Sequence, residues 1–192
     1  MVADWLPVIL GFTLLATALV HVIDGAIQPW ARFKGFAPHV KAHLSVLLGL
    51  IVASQAFSYY LDIYELNYSP RGQVTGASYT DVHAQLPALR ILIAIAVLSA
   101  VILVVNIWFQ GWRLPLIALG VWIGAGLLVG VVYPALIQQF RVVPNELAAE
   151  APYIERNITA TRAAFGLDEV ETRQFPAEEN LTPQDVLDNK DT

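Results

Sequence analysis

Ile91–Phe109 reads ILIAIAVLSAVILVVNIWF, a run with no charged side chain in which Ser99 and Asn106 are the only polar groups. A helix needs about 20 such residues to cross a hydrocarbon core. Three more charge-free runs flank it: Trp5–Val20, Leu44–Leu61 and Leu114–Phe140. Inside a bilayer every backbone N–H and C=O must be satisfied within its own segment, so runs of this kind predict α-helices. The expected fold is therefore all-α: a polytopic transmembrane bundle over residues 1–140, with spans near 5–27, 42–61, 91–109 and 114–137. After Phe140 charge, Asn, Thr and Pro become frequent, and residues 141–192 read as the start of an acidic, partly helical, extracytoplasmic domain.

Composition agrees and removes several classes of function. Hydrophobic residues make up 56% of the chain and charged ones 14%, against about 25% charged in a soluble domain. Residues 1–136 hold six Lys/Arg and five Asp/Glu, and residues 137–192 hold five and eleven. Neither part offers the basic patch that nucleic-acid binding requires. Absence of cysteine excludes disulfides, thiolate metal sites and Cys nucleophiles. Trp5–Val20 is not read as a signal peptide, because Asp4 rather than a Lys or Arg precedes it and the apolar character continues through Val22, Ile23 and Ala26.

The connections carry the orientation. Pro29 and the segment Trp30–Lys41 form the expected exit loop of the first span, with Arg32, Lys34 and Lys41, and Arg113 stands in the tight link Gln110–Arg113. The opposite side has Arg71 and Arg90 in the long connection 62–90. Four against two places the N-terminus, the long loop and the acidic tail outside the cytoplasm. In the long loop Thr80 is the expected cap of a short helix leading to Pro87. In the tail, Asn145 after Pro144 is the expected N-cap of a new helix, and Ile154, Ile158, Thr161 and Phe165 form an apolar stripe stopped by Gly166. Thr182 and Asp185 suggest a last capped turn.

Candidate functional residues are few. His21 and Asp24 sit three apart near the end of the first span; with Gln55 and Asn106 they are the polar groups from which an intramembrane proton relay or solute path could be built. Gly120, Gly124, Gly126 and Gly130 give small-xxx-small spacing on the fourth span, suited to close packing within the bundle or against a partner helix. His39 and His43, with His21, could be offered as haem ligands, but they crowd one interface and Lys41 lies between two of them. No GxSxG, phosphate loop or HExxH is present. No catalytic residue, cofactor or metal is expected.

Several ordered segments carry a resemblance: Lys41-Ala42-His43-Leu44-Ser45-Val46-Leu47-Leu48-Gly49, Val74-Thr75-Gly76-Ala77-Ser78-Tyr79-Thr80-Asp81-Val82, Leu86-Pro87-Ala88-Leu89-Arg90, and Pro152-Tyr153-Ile154-Glu155-Arg156-Asn157-Ile158. In these the chain resembles uncharacterised protein family UPF0182. The resemblance implies a bacterial multi-pass membrane protein, with a large extracytoplasmic domain, of which this chain would be a central slice. It implies no reaction. Because the matched loop and tail segments share the predicted outer side, Asp81, Arg141, Glu146, Glu155, Arg156 and Arg162 are expected to form a collar seating the outer domain on the bundle.

The functional expectation is a membrane anchor or scaffold of the bacterial cell envelope, not an enzyme. Its partners would be the lipid bilayer and either partner membrane helices or further copies of itself. The alternative is a permease-like or lipid-handling protein, which requires His21, Asp24, Gln55 and Asn106 to converge on one cavity.

Overall fold

A computed structural model describes residues 2–27, 36–171, 182–188 and 190. Arg32, Lys34, Pro29 and Trp30 lie outside the described residues. Among those described, structure is helical apart from loops and one isolated bridge between Ile27 and Phe36. The chain divides into two compact units, Met1–Asn157 and Ile158–Thr192.

In the first unit, α1 spans Val2–Ile23, α2 Pro38–Glu65, α3 Asp81–Phe109 and α4 residues 113–142; α5 begins at Glu146. Four helices are long and apolar enough to cross a membrane. α3 is central, packed on α2 and α4, while α1 rests on α2. The core is built of small and branched side chains: Val52 and Ala56 of α2, Ala96, Ala100 and Leu103 of α3, Ala118 of α4. Small residues let backbones approach. At Gly49 the approach is tight, since a Cβ there would lie 3.1 Å from Val104 Cγ2 and 3.3 Å from the Ala100 carbonyl oxygen. Two buried hydrogen bonds join the same helices: Ser99 Oγ donates to the Ala118 carbonyl at 3.2 Å, and Asn106 Nδ2 to Ser45 Oγ at 2.9 Å.

Helix ends depart from the sequence expectation in ways that trace to glycine and proline. α1 stops at Ile23, short of Ile27, because Gly25 takes a φ of 70° and the Ile27 N–H turns back to the His21 carbonyl at 2.9 Å. Asp24 therefore lies in an exposed turn. α2 begins earlier than residue 42, since Pro38 is pre-set for a first helical turn and Ala37 before it is extended.

Three prolines lie within continuing helical backbone. Asp81–Gln85, Gly126–Val132 and Gln138–Val142 are wide π turns, and each ends two residues before a proline, Pro87, Pro134 and Pro144. Proline lacks an N–H and its ring clashes with the carbonyl four residues back; a wider turn relieves both conflicts while the helix continues. Asn145 is accordingly no N-cap: it lies in the 3₁₀ turn Val143–Asn145, and helical backbone runs from Arg113 to Ala164.

The second unit holds the end of α5 (Glu146–Ala164), the 3₁₀ turn Leu167–Glu169 and a short helix α6, Pro183–Asp188. Gly166, with a φ of 66°, stops α5 as its lack of a Cβ allows. Arg162 Nε lies 3.8 Å from Asp168 Oδ1 and its Nη2 donates to the Leu167 carbonyl. Ile158 and Phe165 of the apolar stripe are exposed.

Candidate functional site

The most constrained polar cluster surrounds the start of α3. Ser78-Tyr79-Thr80-Asp81 is a capping box: the Asp81 N–H donates to Ser78 Oγ at 3.3 Å, and the Ser78 N–H and hydroxyl donate to Asp81 Oδ2 at 3.1 and 2.8 Å. Ser78, not Thr80, caps the helix. Asp81 is 1% exposed, and its second oxygen accepts Arg71 Nη1 at 2.9 Å. Glu150 of α5, 2% exposed, accepts the Tyr79 N–H on both oxygens at 3.1 and 3.3 Å. Two carboxylates thus sit at one helix N-terminus, where free N–H groups and the helix dipole favour negative charge. Gly72 makes room, since a Cβ there would meet Ser78 Cβ at 3.1 Å and Glu150 Oε2 at 3.4 Å.

Further bonds close the loop over α4 and α5. Gln73 Nε2 donates to Glu146 Oε1 at 2.9 Å, Thr80 Oγ1 to Gln138 Oε1, and Asn157 Nδ2 to the Thr75 carbonyl at 3.2 Å. Arg141 lies over the Tyr79 ring, its Cζ 5.7 Å from the centroid.

Of the expected collar, Asp81, Arg141 and Glu146 meet in this cap. Arg156 stacks on Tyr153 at 5.4 Å and borders a cleft of about 310 Å³ with Asn67, Gly76 and Asn157. Arg162 instead pairs with Asp168 in the second unit, and Glu155 is exposed. The sequence reading omitted Arg71, Gln73, Ser78, Gln138 and Glu150. Ser78 and Asp81 carried a usable signal in their capping-box spacing; Glu150, whose partner is a backbone N–H 71 residues away, carried none.

The four polar candidates of the apolar helices have separate surroundings. His21 Nε2 lies 3.4 Å from His43 Nδ1, and its ring also meets His39 edge-on at 6.2 Å. Asn106 bonds Ser45, and its Oδ1 is buried without a partner among the described residues. Gln55 is half-buried and Asp24 exposed; among the described residues none of the four bonds another. No group of three or more His, Asp or Glu there could hold a metal ion. On α4, a Cβ at Gly120, Gly124 or Gly126 would meet nothing within 4 Å, whereas one at Gly130 would lie 3.0 Å from Leu92 Cδ1. In-bundle packing of the glycine ladder is therefore found at Gly130, the member that faces α3.

Fold and site together define an all-helical protein with four helices apolar enough for a membrane, capped at one end by a buried polar lock. Residues 1–192 match the family described as Uncharacterised protein family (UPF0182), and the chain belongs to it. It is 47% identical over 174 residues to a UPF0182 protein of Frankia casuarinae, covering 91% of this chain and 17% of that one. Identity is 41% to the UPF0182 protein of Thermobifida fusca, covering 98% and 19%, and 39% to one from Cupriavidus necator, covering 98% and 21%. The chain thus spans about a fifth of the length of these relatives. No solved structure matches it.

Proposed function

We propose that this chain is a multi-pass segment of the bacterial cell membrane whose helix bundle anchors an extracytoplasmic region. Large apolar side chains point outward along the helices, Phe12 at 69%, Leu98 at 63% and Ile123 at 61% exposed; such surface is a liability in water and an asset in lipid. Aromatic side chains mark both ends: Tyr60 and Tyr64 hydroxyls bond at 2.9 Å near the end of α2, and Phe36 meets Trp112 edge-on at 4.8 Å at the other.

The observation that carries the anchor role is Glu150 on the Tyr79 N–H. That bond, with Gln73–Glu146 and with Thr80–Gln138 at the end of α4, ties the polypeptide around and beyond the α4 terminus to the start of the central helix, so a load on the outer region passes into α3. An alkaline phosphatase fused behind Thr192 tests the reading. Activity in a membrane fraction that resists alkaline extraction is expected. An inactive enzyme there, with a fluorescent fusion at the same point lit in the cytosol, would overturn the outward placement.

A further inference from the structure

Two clefts meet at the cap and share Arg71 and Gln85 as a common wall. One, of about 260 Å³, includes Asp62, Glu65, Ser69 and Asp81; the other, of about 440 Å³, runs down Gly130, Val131, Pro134 and Gln138 of α4. We propose that these clefts together seat one zwitterionic phospholipid: its phosphate on Arg71 and Gln85, its primary ammonium towards Glu65, its acyl chain along the Gly130–Pro134 face. The inference rests on the membrane reading above.

The chemistry follows from how Arg71 is held. Nearly buried Asp81 grips Nη1 at 2.9 Å while the Arg71 side chain stays 37% exposed, so the guanidinium is oriented in advance. Asp81 holds Nη1, and the partly exposed planar fork of the guanidinium matches phosphate geometry. Gln85 adds an amide beside it. Three carboxylates, Asp62, Glu65 and Asp81, outweigh one arginine, which disfavours a purely anionic headgroup and favours a molecule with a cation a few atoms from its phosphate. Asp62 has another interaction, so Glu65, exposed at the end of α2, is assigned the ammonium. Below Arg71 the second cleft turns apolar, with Val131 61% exposed. Tyr60 and Tyr64 mark the interfacial level at this same end of α2, which is where a headgroup lies.

The test is native mass spectrometry of the chain released from phosphatidylcholine nanodiscs doped with phosphatidylethanolamine or phosphatidylglycerol. Retention of phosphatidylethanolamine about tenfold above phosphatidylcholine is expected, because the choline headgroup lacks N–H donors for Glu65. Glu65→Gln should abolish that preference, and Val131→Trp, which fills the apolar cleft, should lower retention of both lipids. These exposed positions are chosen because Arg71→Ala would strip the partner from buried Asp81 and could unfold the cap. Equal retention of the two lipids, better retention of phosphatidylglycerol, or a preference unchanged in Glu65→Gln overturns the proposal. So does displacement of the lipid by an equal concentration of free phosphoethanolamine, which would make the site one for a soluble phosphate ester. Failure of the membrane reading shows earlier and differently: the chain would remain in solution without detergent before any lipid is added.

Discussion

At position 150 a carboxylate lies almost wholly out of solvent with a backbone N–H as its partner. Deleting it in Glu150→Ala takes the acceptor from the part-buried Tyr79 N–H and removes a favourable charge from the α3 terminus. A loss of about 1–3 kcal/mol is expected in a denaturant titration of the purified chain in detergent. Glu150→Gln keeps an acceptor oxygen and should lose clearly less; identical losses for both would mean that packing rather than the bond is at stake. At Gln110 the sign reverses. This residue ends α3 in the left-handed region, φ 49° and ψ 26°, with its N–H 2.7 Å from the Asn106 carbonyl oxygen. Gln110→Gly should therefore raise stability by up to about 1 kcal/mol, read in the same titration, because a Cβ is unfavourable there. Sequence alone brought Asp81 and Glu146 into the right neighbourhood, since both lie in polar segments beside a span. It passed over Glu150 because nothing local separates it from the other acids of the tail.

Among the elements, the charge-free runs gave away the four apolar helices, because exclusion of charge is a property of sequence that folding does not alter. Their ends were less legible. Proline reads as a stop in water, yet Pro87, Pro134 and Pro144 are each preceded by a π turn that absorbs the missing bond. A π turn inserts one extra residue, about 100° of rotation, and so sets which face of the following helix meets the loop. Replacing Pro134 by Ala should let the 126–132 turn relax towards α geometry and rotate Gln138 and Glu146 away from Thr80 and Gln73. The chain has no cysteine, so a Gln73→Cys, Glu146→Cys pair provides a clean reporter. Efficient cross-linking by a short bifunctional thiol reagent is expected with Pro134 present. Adding Pro134→Ala should lower the yield several-fold while the helical circular dichroism stays unchanged; an equal yield would show that the turn does not depend on the proline. Glycines divide by the same logic of faces. Gly49→Ala presses a methyl on the Ala100 carbonyl and Val104 and should cost about 1–3 kcal/mol. Gly124→Ala meets open space and should be neutral or stabilising by up to about 1 kcal/mol. If Gly124→Ala instead destabilised the protein in membranes but not the isolated chain in detergent, a partner helix on that face would be indicated.

For the molecule as a whole, the two ends of the bundle are chemically unlike, and the difference fixes a direction that can be measured. One end carries the cap, with Arg71, Asp81 and Glu150 locked around the start of α3; the other gathers His21, His39 and His43 beside the Gln110–Arg113 link. Lys and Arg favour the second end in the sequence by four to two, and the positive-inside tendency predicts that end on the cytoplasmic side. Glu146 and Glu150, which follow the fourth apolar helix, bond to the loop at the cap end. Gln73→Cys and Gly111→Cys, introduced singly into the cysteine-free chain, report each end separately. In intact spheroplasts a membrane-impermeant maleimide should label the thiol at position 73 and leave the one at position 111 unlabelled until the membrane is opened by detergent. The reverse pattern would turn the bundle over and put the cap in the cytoplasm. Labelling of both without detergent would mean that the apolar helices do not separate two compartments, and the anchor reading would fall with them.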